Sequence, residues 1–273
     1  MKYDELFGDI HTLALLYDRE IIYTDVYSNV FAKYYDTLPR ESFECDNYLD
    51  EAYCCGKRVL ELCCGTGRLT TIFAKKGFVV DGVDISKDML TILEEKRRGL
   101  PKSVARNLNI ICDDVFSYCP QSEKYDFVFL PATTICILSE QDELIAKLFR
   151  NISAMLKPTG SFMFDMRCYG TNMENKCSEL FLSTVRIDEK PAMVLMQENL
   201  QYDISRAIGN FYLEVAEGNG YVKRYITTTN KRMVSIDDLS ESIMNAGLYL
   251  HRKTTIVAGM NSIDLFTLKK VEN

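Results

Sequence analysis

From Arg58 onward the sequence alternates short apolar, β-branched runs with segments of helical spacing, and nothing else in it restricts the fold as strongly. Val59-Leu60-Glu61-Leu62 is an apolar run closed by Gly65 and Gly67, and Leu69 to Ala74 reads as a helix. Phe78-Val79-Val80 leads into Asp81-Gly82-Val83-Asp84, after which Ser86 to Lys96 carries Met89, Leu90 and Leu93 at helical spacing. Asn109 to Cys112 and Tyr125 to Leu130 read as strands, and Leu144, Ile145, Leu148, Ile152 and Leu156 share one helical face. Lys157-Pro158-Thr159-Gly160 reads as a turn before a strand at Ser161 to Phe164. A helix between two strands carries the chain back across the sheet, so the strands pair in parallel and both sheet faces become covered.

The pattern changes after about Arg167. Thr184 to Ile187, Met193 to Met196, Asn210 to Val215 and Tyr221 to Ile226 are strand-like, and the turn-like segments Asp188 to Pro191 and Glu217 to Gly220 lie between them. Strands joined by short turns make an antiparallel sheet. Helical spacing returns at Ser235, a helix-capping residue type, with Asp237 and Asp238 in the first turn and Gly247 as the stop. Leu248 to Val257 and Ser262 to Lys269 supply two closing strands, while Tyr17 to Tyr35 reads as helical and aromatic. The expected organisation is an N-terminal helical cap over 1–56, an α/β core over 57–170, an inserted antiparallel lid over 171–232, and the rest of the core over 233–273.

With a net charge of −7 the chain repels phosphate backbones, so nucleic acid is not an expected partner. Lys96-Arg97-Arg98 is its tight basic cluster and suits a solvated helix end. The ten cysteines show no C-x-x-C, and only His11 and His251 accompany them, so reduced thiols and no metal site are expected. The sequence opens without the apolar run of a signal peptide and has no stretch of about 20 apolar residues, so a cytoplasmic protein without a membrane partner is expected.

Glu61-Leu62-Cys63-Cys64-Gly65-Thr66-Gly67 stands between a strand and a helix. Such a turn offers free backbone N–H groups beside a helix N-terminus, and its glycines let a ligand approach closely. Seventeen residues after Gly67, Asp84 ends the next strand, where a carboxylate can accept ribose hydroxyls or cap the following helix. A dinucleotide fold prefers a third glycine, and Thr70 occupies that place. Glu61 would repel a pyrophosphate but suit an ammonium group. Adenosine joined to an amino acid, without phosphate, therefore fits these residues better than a nicotinamide dinucleotide.

These residues resemble the class I S-adenosylmethionine-dependent methyltransferases. Residues 61–67 are similar to their first motif, with Cys63 where glycine is usual, and Asp84-Ile85-Ser86-Lys87-Asp88-Met89-Leu90 to their acidic second motif. Tyr125 to Val128 and Leu156 to Gly160 resemble the fourth strand and the turn into the fifth. The resemblance implies a seven-stranded Rossmann-like sheet with helices on both faces and an antiparallel closing hairpin. It implies S-adenosylmethionine as cofactor and S-adenosylhomocysteine as product. It places ribose at Asp84, adenine at Met89 and the adenine amino group near Asp113-Asp114. It also implies cofactor contacts at Glu61, Cys63, Gly65, Gly67, Ile85, Val115, Leu130 and Pro131. Tyr27 to Asp36 is similar to the entry segment of small-molecule N-methyltransferases acting on amino sugars or glycine. This implies Tyr27 and Tyr35 at the cofactor, with Tyr27 nearest the methyl group. Ile137 stands where the amino-sugar enzymes carry a histidine.

The expected function is methyl transfer to a small-molecule acceptor, with nitrogen favoured and oxygen or carbon open. A lid made of the inserted sheet would form the acceptor pocket, and lids of this kind pair into homodimers in some relatives. A non-catalytic S-adenosylmethionine-binding protein and a nicotinamide-dependent oxidoreductase are the other classes.

Overall fold

The computed structural model describes residues 5–37, 44–120, 124–169, 173–258 and 261–271. Along the chain come α1 (Gly8–Leu16), β1 (Ile21–Tyr23), α2 (Asn29–Thr37), α3 (Cys45–Cys55), β2 (Arg58–Leu62), α4 (Arg68–Lys75) and β3 (Val79–Asp84). They are followed by α5 (Lys87–Arg98), α6 (Lys102–Ala105), β4 (Leu108–Cys112), β5 (Tyr125–Leu130), α7 (Ile135–Leu138), α8 (Asp142–Met155) and β6 (Leu156–Arg167). The remainder is β7 (Lys176–Cys177), β8 (Phe181–Ile187), β9 (Lys190–Gln201), β10 (Arg206–Gly218), β11 (Tyr221–Arg232), α9 (Ile236–Asn245), β12 (Leu248–Ala258) and β13 (Asn261–Lys270). The chain divides into two compact units, residues 1–39 with 170–233 and residues 40–169 with 234–273.

The second unit holds a seven-stranded sheet in the order β12-β13-β6-β5-β2-β3-β4. The strands β2 to β6 are parallel, and β13 runs antiparallel to both β6 and β12. Chain order reverses between β2 and β5, which creates a switch point at their C-terminal ends, where open α/β sheets bind ligands. The strands read as continuous apolar runs because both faces are covered. On one face Ile145, Leu148, Phe149 and Ile152 of α8 and Leu239 and Ile243 of α9 pack against Leu60, Val128 and Phe162. On the other, Tyr48, Leu49 and Ala52 of α3, Leu69 and Phe73 of α4 and Leu90 and Leu93 of α5 pack against Val59, Val80 and Phe127. The segment 45–55, read from the sequence as part of a cap, thus belongs to this unit.

Helix α9 opens with a capping box in which Ser235 and Asp238 satisfy each other's backbone N–H groups. Gly247 follows it at φ 70°. The expected turn at 157–160 lies within β6, whose pairing with β5 shifts register between Tyr125 and Phe127. An added Cβ at Gly160 would meet the Asp126 carbonyl oxygen at 2.9 Å, so this close strand approach needs glycine.

The first unit is a six-stranded sheet. Its path is β1-β11-β10-β9-β7, and β8 also pairs with β9. The connection from β8 to β9 places Asp188 and Glu189 at φ 50° and 64°, the left-handed pair of a tight hairpin turn. The faces alternate as the strand period requires: Val194, Leu213 and Val215 pack with Phe31 and Tyr34 of α2. Leu195, Tyr212 and Ile226 face Ile10 and Ala14 of α1. The sequence reading of Tyr17 to Tyr35 as helical is corrected here: α1 ends at Leu16, and β1 pairs in parallel with β11 before α2 begins. Ile21-Ile22-Tyr23 is a β-forming run, and its pairing partner lies about 200 residues away, beyond the reach of local periodicity. No helix among the described residues is long and apolar enough to cross a membrane.

Candidate active site

The turn after β2 leaves the switch point and enters α4. It uses three left-handed residues in five: Cys63 at φ 54°, Gly65 at 56° and Gly67 at 76°. Cys64 N–H donates to the Val83 carbonyl at 3.0 Å and Gly67 N–H to the Cys64 carbonyl at 2.9 Å, which folds the turn against β3. The two glycines serve different ends. A Cβ on Gly67 would stand 2.1 Å from Leu93 Cδ1, so this glycine lets α4 and α5 approach. A Cβ on Gly65 would meet nothing within 4 Å, so that backbone faces open space.

Asp84 ties the turn to the next strand. Its Oδ2 accepts from Gly65 N–H and its Oδ1 from Ser86 N–H, both at 2.8 Å. The cap of α5 is Ser86, whose hydroxyl accepts from Met89 N–H, so Asp84 is not the N-cap. Each Asp84 oxygen keeps a further lone pair for a ligand hydroxyl. Burial pushes its carboxyl up, and the N–H donors of Ser86 and Gly65 oppose this.

Glu61, at the end of β2, is 2% exposed and accepts a hydrogen bond from the Thr70 hydroxyl. The residue standing where a dinucleotide fold would carry glycine therefore serves as the acid's donor. Burial pushes Glu61 up to about 8, against Thr70's hydrogen bond and the charge of Arg68. The Arg68 guanidinium pairs with Glu44, and its Nη1 is buried with no hydrogen-bond partner among the described residues. Burial, then the charges of Asp84, Asp114 and Glu61, push the Cys63 thiol far up, so it stays protonated.

The remaining candidates divide. Ile85 is 69% exposed directly after Asp84, unusual for so large an apolar side chain. Asp113 N–H bonds the Asp84 carbonyl at 3.1 Å, and Asp113 Oδ1 accepts from Asp114 N–H at 2.8 Å. Asp114 Oδ1 accepts from Phe116 N–H at 2.9 Å, so both acids stand at the β4 exit. Met89 is buried on α5, Val115 and Leu130 lie in the apolar core, and Pro131 is buried after β5. Tyr27 and Tyr35 lie in the other unit, half-buried, with ring centroids 6.3 Å apart in edge-to-face contact. Ile137 is half-buried on α7. Sequence reasoning missed Tyr48 and Asp165, whose hydroxyl and carboxylate meet at 2.7 Å beside the β5 exit. Asp165, closing the run Ser161 to Phe164, carried a weak signal of the kind that marked Asp84, and Tyr48 carried none.

Residues 59–160 match the family model described as a methyltransferase domain. The core is that of a class I methyltransferase. The cofactor of this family is S-adenosylmethionine. YqeM of Bacillus subtilis (strain 168), a methyltransferase by name, is 26% identical over 198 residues, 72% of this chain and 75% of its own. The sugar N-methyltransferase KedS8 from Streptoalloteichus sp ATCC 53650 shares the fold with a TM-score of 0.71 and 15% identity, covering 92% of this chain and 96% of its own. The glycopeptide N-methyltransferase MtfA, solved with S-adenosylmethionine, aligns over 97% of this chain and 98% of its own, with a TM-score of 0.66 and 14% identity. The sheet order and the methyltransferase core agree with what the resemblance implied.

The residues present fit this cofactor. The open space over Gly65 admits a ligand against the backbone, and Asp84 has capacity for ribose hydroxyls. Glu61 is a buried acid whose ionisation a neighbouring cation would favour, and Arg68 Nη1 is a buried donor with no partner among the described residues.

Proposed function

We propose that this enzyme transfers the methyl group of S-adenosylmethionine to an amine on a small molecule. The observation that carries the cofactor assignment is Asp84, a buried carboxylate that fixes Gly65 and Ser86 and retains lone pairs at the switch point. The choice of nitrogen is supported by the two whole-chain structural likenesses to N-methyltransferases and by the entry segment at Tyr27 to Asp36.

In this reading Asp84 holds the ribose and Glu61 the ammonium of the amino-acid end, directly or through water. Arg68 receives the carboxylate. Ile85, Met89, Asp113, Asp114, Val115, Leu130 and Pro131 border the adenosine, and Cys63 is the first residue of the turn. The bound cofactor supplies a methyl group already activated by the sulfonium charge. The protein's contribution is alignment and exclusion of water, which together supply on the order of 7–11 kcal/mol in favourable cases. Burial keeps the Cys63 thiol protonated, and a protonated thiol is a poor nucleophile.

Calorimetric titration with S-adenosylmethionine, S-adenosylhomocysteine and NAD tests the reading. Both adenosyl ligands should bind, and Asp84→Ala should weaken them about 100-fold, close to 3 kcal/mol. Binding of NAD alone, or of none of the three, would overturn the assignment. An acceptor screen with primary amines against phenols then decides nitrogen over oxygen, and no turnover with any acceptor would favour a non-catalytic binding protein. Once an acceptor is found, Tyr27→Phe tests whether the first unit supplies a group to the reaction. Lowered turnover with unchanged S-adenosylhomocysteine affinity is expected.

A further inference from the structure

The turn leaving β5 has a conformation that its own sequence does not favour. Ala132 and Thr133 lie at φ 63° and 55°, two successive non-glycine residues in the left-handed region. Their N–H groups both end on one carboxylate. Ala132 N–H donates to Asp165 Oδ2 at 3.0 Å, and Thr133 N–H donates to Oδ1. The Tyr48 hydroxyl donates to the same Oδ2 at 2.7 Å, and Asp165 is 1% exposed. Thr134 closes the turn from the other side, donating from its hydroxyl to the Pro131 carbonyl at 2.6 Å. Three donors from two parts of the chain, α3 and the turn after β5, thus converge on a buried acid at the C-terminal end of β6. The neighbouring strand β5 is one of the two that flank the switch point.

We infer that Asp165 is a positioning residue: it holds the turn Pro131–Thr134 in the shape that receives the cofactor, and Tyr48 holds Asp165. The inference rests on the reading of the glycine turn as the cofactor site, because the β5 exit stands next to the β2 exit that carries Gly65. Only the ionised carboxylate accepts all three bonds on its two oxygens. An amide turns its NH2 toward at least one of the turn's own N–H groups, and a protonated acid gives up a lone pair and must find an acceptor for its own proton. Burial pushes Asp165 up to about 6, and the Tyr48 and Thr133 donors oppose it. The charged group facing it besides Tyr48 is Glu44, which is paired with Arg68.

The test is S-adenosylhomocysteine affinity by calorimetry from pH 5.5 to 8.5 for the full chain, Asp165→Asn, Tyr48→Phe and Asp84→Ala. Beyond the loss that Glu61 protonation brings to every variant that keeps Glu61, the affinity of the unsubstituted protein should drop about a further fourfold as pH falls from 7.5 to 5.5 through the Asp165 titration. Asp165→Asn should bind about tenfold more weakly at pH 7.5 and lack that lower limb. It should retain the loss with falling pH that belongs to Glu61. Tyr48→Phe removes a donor that favours the charged form, so its lower limb should move to higher pH while affinity at pH 8.5 stays within about twofold. A merely structural role would lower stability without moving the limb. If Asp165→Asn and Tyr48→Phe both follow the pH profile of the unsubstituted protein, the inference is wrong. If Asp165→Asn fails to fold, an unshifted limb in Tyr48→Phe alone overturns it. Failure of the unsubstituted protein to bind at any pH would instead defeat the cofactor reading itself.

Discussion

Glu61 is a side chain unfavourable to the free protein, and on the proposed reading its charge serves the complex. Its folded value of about 8 exceeds the ordinary carboxylate range, so the folded state keeps a proton that the unfolded chain has lost. Stability therefore falls as pH rises from about 4.5 to about 8. Glu61→Gln keeps an acceptor for the Thr70 hydroxyl and removes the buried charge. Its melting temperature should exceed that of the unsubstituted protein at pH 8.5 and the difference should shrink towards pH 5. The same change should weaken S-adenosylhomocysteine binding about tenfold. Calorimetry in buffers of different ionisation enthalpy should also show proton release from Glu61 on binding near pH 7.5, and Glu61→Gln should abolish it. At this scale the sequence showed the acid and its neighbour Thr70 but not their bond. Thr70 counted only as a missing glycine, because what a helix residue faces across a strand end depends on how closely the two elements pack.

At the scale of elements, the glycine turn separates strain from function. Gly67→Ala would meet both a left-handed backbone and Leu93, so it should cost about 2–4 kcal/mol in urea unfolding. Gly65→Ala has room for its methyl group and should cost about 1 kcal/mol, yet weaken S-adenosylhomocysteine about tenfold or more by filling ligand space. The opposite signature, a stable Gly67→Ala or a tightly binding Gly65→Ala, would reverse the two roles. Most elements of the α/β core were legible because each is a local signal: an apolar run, a helical stripe, a cap or a stop. Ser235 and Gly247 bounded α9 in the sequence as they do in the structure. β1 was not legible, since three residues gain strand geometry only by pairing with β11. The β5 exit was not legible either, since Pro131-Ala132-Thr133-Thr134 has no residue that asks for a left-handed backbone.

For the whole molecule, the division into two units carries its own expectation. Each has separate apolar clusters, α1 and α2 packing on one sheet and α3 to α9 on the other. A chain lacking Thr184 to Thr229 should keep S-adenosylhomocysteine binding and lose acceptor turnover, which titration and a methyl-transfer assay on one preparation would check. Surviving turnover would remove the inserted sheet from the acceptor pocket. By itself the sequence determined the alternation that makes a parallel sheet, the antiparallel insertion, and the glycine turn between β2 and α4. These follow from local periodicity and residue chemistry within a few turns of chain. Tertiary structure alone decided that Asp84 binds the turn rather than capping α5, that α3 belongs with the core, and that Asp165 gathers Tyr48, Ala132 and Thr133. Those choices depend on which buried donor meets which acceptor across the sheet, and no local pattern records a partner that lies 19 to 117 residues away.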